Sequence, residues 1–242
     1  RAVRTPSRLE DNLRLNANVI DTGGGTSTWV SLIGNPGFDS EKLWANELGY
    51  RVQPLENLSI DIATFYNRYS DLRTIETGAP FLETSFGTTH TVTPFSSGNL
   101  MAGNTYGFEF ASEWQVFKRW KLAGAYSFLK MNMHLDSSST DPISIAQTVG
   151  ASPKHQFNIR SYLDLPHNIE FDTAIYFVDK LATSNTPRFA RVDARIGWKP
   201  TPKVSLSLIG QNLFDSRHPE LVQTTHSKEV DRAVYGKFTL QF

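Results

Sequence analysis

The chain has 242 residues, with 24 Lys plus Arg balancing 24 Asp plus Glu and no cysteine. Balanced charge, with no basic stripe interleaved with aromatics, argues against a nucleic-acid partner, and the missing Cys excludes disulfide frameworks and thiolate metal sites. Sixteen Phe, eight Tyr and five Trp accompany a mean hydropathy of −0.33, yet no run approaches the ~18 apolar residues of a spanning helix.

In chain order, Gly23-Gly24-Gly25-Thr26-Ser27 comes first. It lacks the Lys of a phosphate-binding loop and follows no apolar strand, so it reads as a flexible loop. Period-two alternation then begins at Leu48, Tyr50 and Val52, and continues through Leu58, Ile60, Ile62, Thr64 and Tyr66. It recurs at Tyr106, Phe108, Phe110 and Trp114, and at Trp120, Leu122, Tyr126 and Phe128. Phe157, Ile159 and Leu163 carry it on, as do Ile169, Phe171, Ile175 and Phe177. Val192, Ala194, Ile196 and Trp198 precede Val204, Leu206 and Leu208, and Val234, Phe238, Leu240 and Phe242 close the chain. These are nine strands of about 9–12 residues, each with one apolar and one polar face. Helical periodicity is absent, and the expected class is all-β.

The links between strands alternate. Gln53–Asn57, Val116–Arg119, Leu165–Asn168 and Lys199–Lys203 are tight turns. Arg68–Gly103, Met131–Pro153, Asp179–Pro187 and Leu213–Lys228 are long and rich in Ser, Thr, Gly and Pro. In an antiparallel meander this puts every short turn at one end and every long loop at the other, as in an up-and-down transmembrane β-barrel. A Greek-key sandwich would mix lengths at both ends.

The faces agree with that reading. Charges on the apolar face (Lys42, Arg68, Lys130, Arg232) sit near strand ends, while the other face holds Glu109, Arg160, Glu170, Asp172, Arg191, Asp193 and Arg195 among others. An Arg or Lys facing lipid at mid-bilayer costs ~2–4 kcal/mol, which explains its exclusion there. Trp114, Trp120 and Trp198 border the short turns, where an interfacial aromatic belt belongs, and Phe238, Leu240 and Phe242 join them from the closing strand. Nine strands, with Arg1–Arg4 as the tip of a tenth, form neither an even count nor a closed barrel. The chain is therefore expected to be the incomplete, carboxy-terminal part of a larger barrel, residues 1–242, cut at Arg1 and complete at Phe242.

No catalytic signature emerges. There is no Gly-x-Ser-x-Gly elbow, and the six His residues (90, 134, 155, 167, 218 and 226) show no His-x-x-x-His spacing. The sequence indicates no enzyme, no cofactor and no resident metal. A passive porin or structural barrel is the main alternative, and a soluble β-sandwich module or a barrel hydrolase the next.

The stretches "AVRTPSR" (Ala2–Arg8), "ELGYR" (Glu47–Arg51), "LSIDIATFYNRYSDLRTIE" (Leu58–Glu76) and "NTYGFEFASEWQ" (Asn104–Gln115) resemble strand and loop motifs of the TonB-dependent outer-membrane receptors. So do "FARVDARIGWKPTPKVSLSLIGQNLFDSRHPEL" (Phe189–Leu221) and the terminal "VYGKFTLQF". The resemblance implies a bacterial outer-membrane barrel plugged by an amino-terminal domain that this stretch lacks. It also implies import of a scarce nutrient (a ferric siderophore, haem or cobalamin), energised by the TonB complex through the missing amino-terminal part. Outer-membrane lipid and the barrel assembly machinery, which would read the terminal Phe242, are the other implied partners. Ligand contacts are expected in the outer regions Asp71–Gly98, Asn132–Ser152 and Phe214–Ser227, with Phe81, Phe86, His90 and Phe95 as candidates.

Overall fold

The computed structural model describes the whole chain except Gly24, Gly25, Phe86 and residues 223–226, and gives Ser227 and Lys228 as backbone alone. In chain order the elements are β1 (Ala2–Arg4), α1 (Arg8–Asn12), β2 (Arg14–Gly23), β3 (Thr26–Ile33), β4 (Glu41–Leu55), β5 (Leu58–Thr77), β6 (Phe81–Ser85), β7 (Thr88–Phe117) and β8 (Trp120–Leu135). Then follow α2 (Ser144–Gly150), β9 (His155–Leu165), β10 (Ile169–Val178), β11 (Phe189–Thr201), β12 (Val204–Gln211), β13 (Arg217–Val222), β14 (Ser227–Asp231) and β15 (Ala233–Leu240).

All nine expected strands are present, as β4, β5, β7 to β12 and β15. They are hydrogen-bonded in the order β1-β4-β5-β7-β8-β9-β10-β11-β12-β15. Arg1–Arg4 does carry a tenth strand: Ala2 lies opposite Leu43 and Arg4 opposite Glu41, antiparallel. No ladder joins β1 to β15 among the described residues, so the barrel is incomplete.

The tight turns fall where expected. Pro166 starts a single 3-10 turn in which His167 (φ 63) and Asn168 (φ 57) both take the left-handed conformation. Asn accepts that region at low cost, and the turn lets Leu165 pair directly with Ile169.

The long links are more ordered than their composition suggests. β5 runs on to Thr77 and β7 begins at Thr88, so most of 68–103 is strand, although its Gly, Ser, Thr and Pro read as loop. Pairing supplied by other segments overrides that composition: β6 lies antiparallel to β7 from Phe81↔Val92 to Ser85↔Thr88, and β3 lies parallel to it from Thr28↔Thr91 to Leu32↔Phe95. Strands β13 and β14 pair antiparallel, and two helices too short for a periodicity signal, α1 and α2, appear in the connections. No helix among the described residues is long and apolar enough to cross a membrane.

Two compact units emerge. One comprises Arg1–Asn46, Tyr66–Thr105 and Met131–Val149, the other Glu47–Phe65, Tyr106–Lys130 and Gly150–Phe242. In the first, β5 beyond Ser70 lacks a full strand partner on one edge. Its N–H groups at Arg73, Ile75 and Thr77 donate instead to Glu41 Oε1 (2.7 Å), Asp141 Oδ2 (2.6 Å) and Thr140 Oγ1 (2.9 Å). Alternate residues point their N–H to one side, so three side chains satisfy an edge that would otherwise be bare.

Candidate functional site

The second unit carries a wall with two chemically distinct faces. On the outward face, register stacks apolar side chains into rows across strands. One row runs Trp120, Leu163, Phe171, Ile196, Leu208. The next, nearer the short turns, runs Leu165, Ile169, Trp198, Leu206, Phe238. Toward the other strand ends a third aromatic row runs Tyr126, Phe157, Phe177, the last two rings stacked at 5.2 Å. Phe108 packs against Tyr126 at 5.4 Å. Ile159, Ile175 and Val192 fill the space between.

From Phe157 to Leu165 along β9 is about 27 Å, or about 20 Å along the membrane normal at a tilt near 40°. That is close to the ~25 Å apolar band of an outer-membrane barrel. Trp114 and Trp198 are 42% and 46% exposed, Phe238 and Leu240 are also exposed, and Trp120 is half-buried with its indole N–H on Ser161 Oγ (2.9 Å). These side chains have apolar surface and no protein to bury it against. Phe242 is fully exposed beyond β15, and the N–H of Gln241 bonds Lys203 O at 2.8 Å.

The inward face is charged and matched. Arg195 bridges Glu170 (2.9 Å) and Asp172 (2.7 Å), and Lys199 also contacts Glu170. Arg191 pairs with Asp193 at 2.6 Å and reaches Glu220 at 3.8 Å. Tyr176 lies between two guanidinium groups, Arg160 at 5.7 Å and Arg191 at 5.5 Å from its ring. Arg51 pairs with Asp61 and Lys121 with Glu113. A concavity of about 520 Å³ lines this face between Asp61, Glu109, Ala125, Asn158 and Tyr176. Asp61, Glu113, Glu170, Asp172 and Asp193 are thus held by cations, an arrangement that hydrates and rigidifies a wall.

The first unit holds the candidate ligand contacts. Phe81 on β6 is 40% exposed and sits opposite Val92. Phe95 on β7 is half-buried and opposite Leu32 of β3. His90 is 2% exposed, because the Trp29 ring stacks on it at 3.8 Å and 20°. Its Nε2 lies 3.5 Å from Glu83, which is also ion-paired to Arg14. Phe81, His90 and Phe95 thus share the region where β6 and β3 join β7 in the main sheet, and Trp29 covers His90 there. Phe86 lies outside the described residues, as do Gly24, Gly25 and His226. The Trp29–His90 and Arg14–Glu83 contacts carry no local signal in the sequence, since each spans about 60–70 positions.

Below this sheet the first unit is stitched by ions. Glu10, buried on α1, accepts from Arg4 (2.9 Å) and from the N–H of Ser7 (2.8 Å), completing a capping box. The Arg4 guanidinium above all holds the Glu10 carboxyl well below its usual value, at about 2. Burial pushes the Asp141 carboxyl up, but bonds from Ser144, Ile75 and Ile143 outweigh it and hold it below the ordinary aspartate range. Glu76 takes Ser139 and Thr140 in the same way.

The sequence profile of the family described as TonB dependent receptor-like, beta-barrel matches residues 1–213. The chain belongs to that family. It is a barrel protein of the bacterial outer membrane, in a family of receptors and transporters rather than enzymes. Solved structures agree in fold. A mutant of the ferric enterobactin receptor PfeA from Pseudomonas aeruginosa shares 17% identity at a TM-score of 0.64, over 100% of this chain and 37% of that one. The siderophore receptor PirA from Acinetobacter baumannii shares 16% at 0.62, over 88% and 34%. The ferric-catecholate import receptor Fiu from E. coli K12 shares 17% at 0.62, over 86% and 29%. The chain thus spans about a third of the length of these structures.

Proposed function

We propose that this chain supplies wall and outer surface to a receptor that carries a scarce nutrient, such as a ferric siderophore or another iron complex, across the outer membrane with energy from TonB. The observation that carries the reading is the division of labour within one sheet. An apolar face with aromatic rows at both ends backs a charged, ion-paired inward face, and the family's barrel profile covers both. Several structural relatives bear siderophore or iron names, which favours an iron complex as cargo. In this reading Phe81, Phe95 and Trp29 offer aromatic surface to the cargo, and His90 acts from beneath as the support of Trp29.

Expression of the intact gene in a strain lacking its own iron receptors tests the proposal. Growth on a chelated iron source should be restored, and should disappear when TonB is deleted. Growth that persists without TonB would instead identify a passive barrel. Phe81→Ala should weaken uptake several-fold while leaving the amount of receptor in the membrane unchanged.

A further inference from the structure

His90 has a hydrogen-bond acceptor beside each of its ring nitrogens and a donor beside neither. Its Nδ1 lies 3.3 Å from the carbonyl oxygen of Thr88, two residues earlier on β7. Its Nε2 lies 3.5 Å from the carboxylate of Glu83, its register partner on β6, and makes no hydrogen bond there. A neutral imidazole has one N–H and one lone pair. With the proton on Nδ1, the lone pair of Nε2 faces a carboxylate. With the proton on Nε2, the lone pair of Nδ1 faces a carbonyl. The imidazolium, with an N–H on both nitrogens, suits both neighbours. Burial sharpens the contrast, because the ring is 2% exposed and water has little access to supply the missing donor.

The other contacts act on the same charge. The Trp29 indole stacks on the ring at 3.8 Å, and its π face attracts a cation more than a neutral ring. The indole N–H is anchored on Ser27 Oγ at 3.1 Å. β3 brings no charged residue to this junction, and β6 brings Glu83 alone. β2 brings Asp21, whose carboxylate takes the N–H of Gly23 at 2.8 Å, and Arg14, ion-paired with Glu83. Arg14 opposes a charge on His90, but it is 45% exposed and solvent screens it.

We propose that His90 is a pH-sensitive lock. As the imidazolium it clamps Trp29 of β3 and Glu83 of β6 onto β7, and on losing its proton it releases them. The lock is complete in acid and is lost as the pH rises through the titration of the ring, which for histidine ordinarily falls at about 6.5. The order of this junction thereby follows the pH around it, whether or not Trp29 and Phe81 touch cargo.

Hydrogen exchange of the intact receptor in detergent reads the lock with no cargo present, so its failure would leave the uptake reading untouched. Between about pH 6 and about pH 8, corrected for intrinsic exchange, the amides of Phe81–Ser85 and Thr88–Phe95 should lose protection about fivefold. The amides of β9 to β12 should keep theirs. His90→Gln should remove the dependence on pH, and His167→Gln, in the exposed tight turn, should match the parent. Glu83→Gln is the sharper variant, because its amide N–H gives the neutral ring the donor that Nε2 lacks, and the junction should stay protected at about pH 8. The proposal fails if protection in the parent is independent of pH, if His90→Gln keeps the parent's dependence, or if Glu83→Gln loses protection as the parent does. Should His90→Gln not assemble, the contrast between Glu83→Gln and the parent decides.

Discussion

The carboxylate of Asp141 accepts the backbone N–H of Ile75 at 2.6 Å, across 66 positions of sequence, while its other oxygen takes the N–H groups of Ile143 and Ser144. One buried side chain thus satisfies a bare strand edge and the start of α2 together. Asp141→Ala removes the acceptor for all three. Each buried donor left unpaired costs about 1–3 kcal/mol, reduced where water can enter. The 136–144 segment should become a site of protease cleavage in the intact receptor, with the melting of the barrel little changed.

The same carboxyl gives a pH signature. Its folded pKa is depressed, so its stabilising contribution is present above the unfolded value of 3.8 and is lost as pH falls through the lower folded value. Pepsin, which works in acid, should therefore cut 136–144 increasingly as the pH is lowered from 4, and no cutting should appear in a pulse at pH 5. Cutting that is independent of pH across this window would show that the carboxylate does not hold the segment.

Glu10 behaves likewise in a different window. Its contribution is complete above about pH 4.5 and disappears through about 2. Glu10→Gln abolishes the ion pair with Arg4 and weakens the capping box, at a cost of about 1–2 kcal/mol once the solvent exposure of Arg4 is discounted. Faster tryptic cleavage at Arg8 in the intact receptor at neutral pH is the expected readout.

Gly107 has no room for a side chain: an added Cβ would lie 2.0 Å from Phe128 O and 2.7 Å from the Phe65 ring. Gly107→Ala forces β7 and β8 apart and should cost about 1–3 kcal/mol. A smaller heat-modifiable, folded fraction on gels would report it. Gly49→Ala, where the nearest atom is Ile62 O at 3.9 Å, should behave as the parent.

The two faces of β12 should differ sharply in tolerance. Leu208 points outward between Ile196 and Gly236, and Leu208→Arg places a charge against lipid at a cost of about 2–4 kcal/mol. Ser205 points inward opposite Thr239, and Ser205→Arg should assemble normally. Equal loss of folded receptor in both variants would contradict the assignment of faces.

The wall was legible because a strand with one wet and one dry face writes a two-residue period into its sequence, as Ile169, Phe171, Ile175 and Phe177 do. The outer region was not, because its order comes from distant partners. Thr88–Gly98 contains Pro94 in mid-strand, and pairing with β6 over Thr88–Val92 and with β3 over Thr91–Phe95, where Ser31 lies opposite Pro94, makes it sheet. His90 had the composition of a loop residue but is covered by Trp29, 61 positions earlier in the chain. A contact of that length leaves no local trace.

The aromatic rows described above also act as a ruler. Sliding the wall outward by one turn of the pleat, about 7 Å along a strand, would lift Tyr126 and Phe177 out of the interface and drag Trp198 and Phe238 into hydrocarbon. The opposite slide would submerge Lys130. Both errors grow with distance, so the rings set the wall's depth in the bilayer to within about one turn of the pleat, and a membrane of different thickness must bend to them.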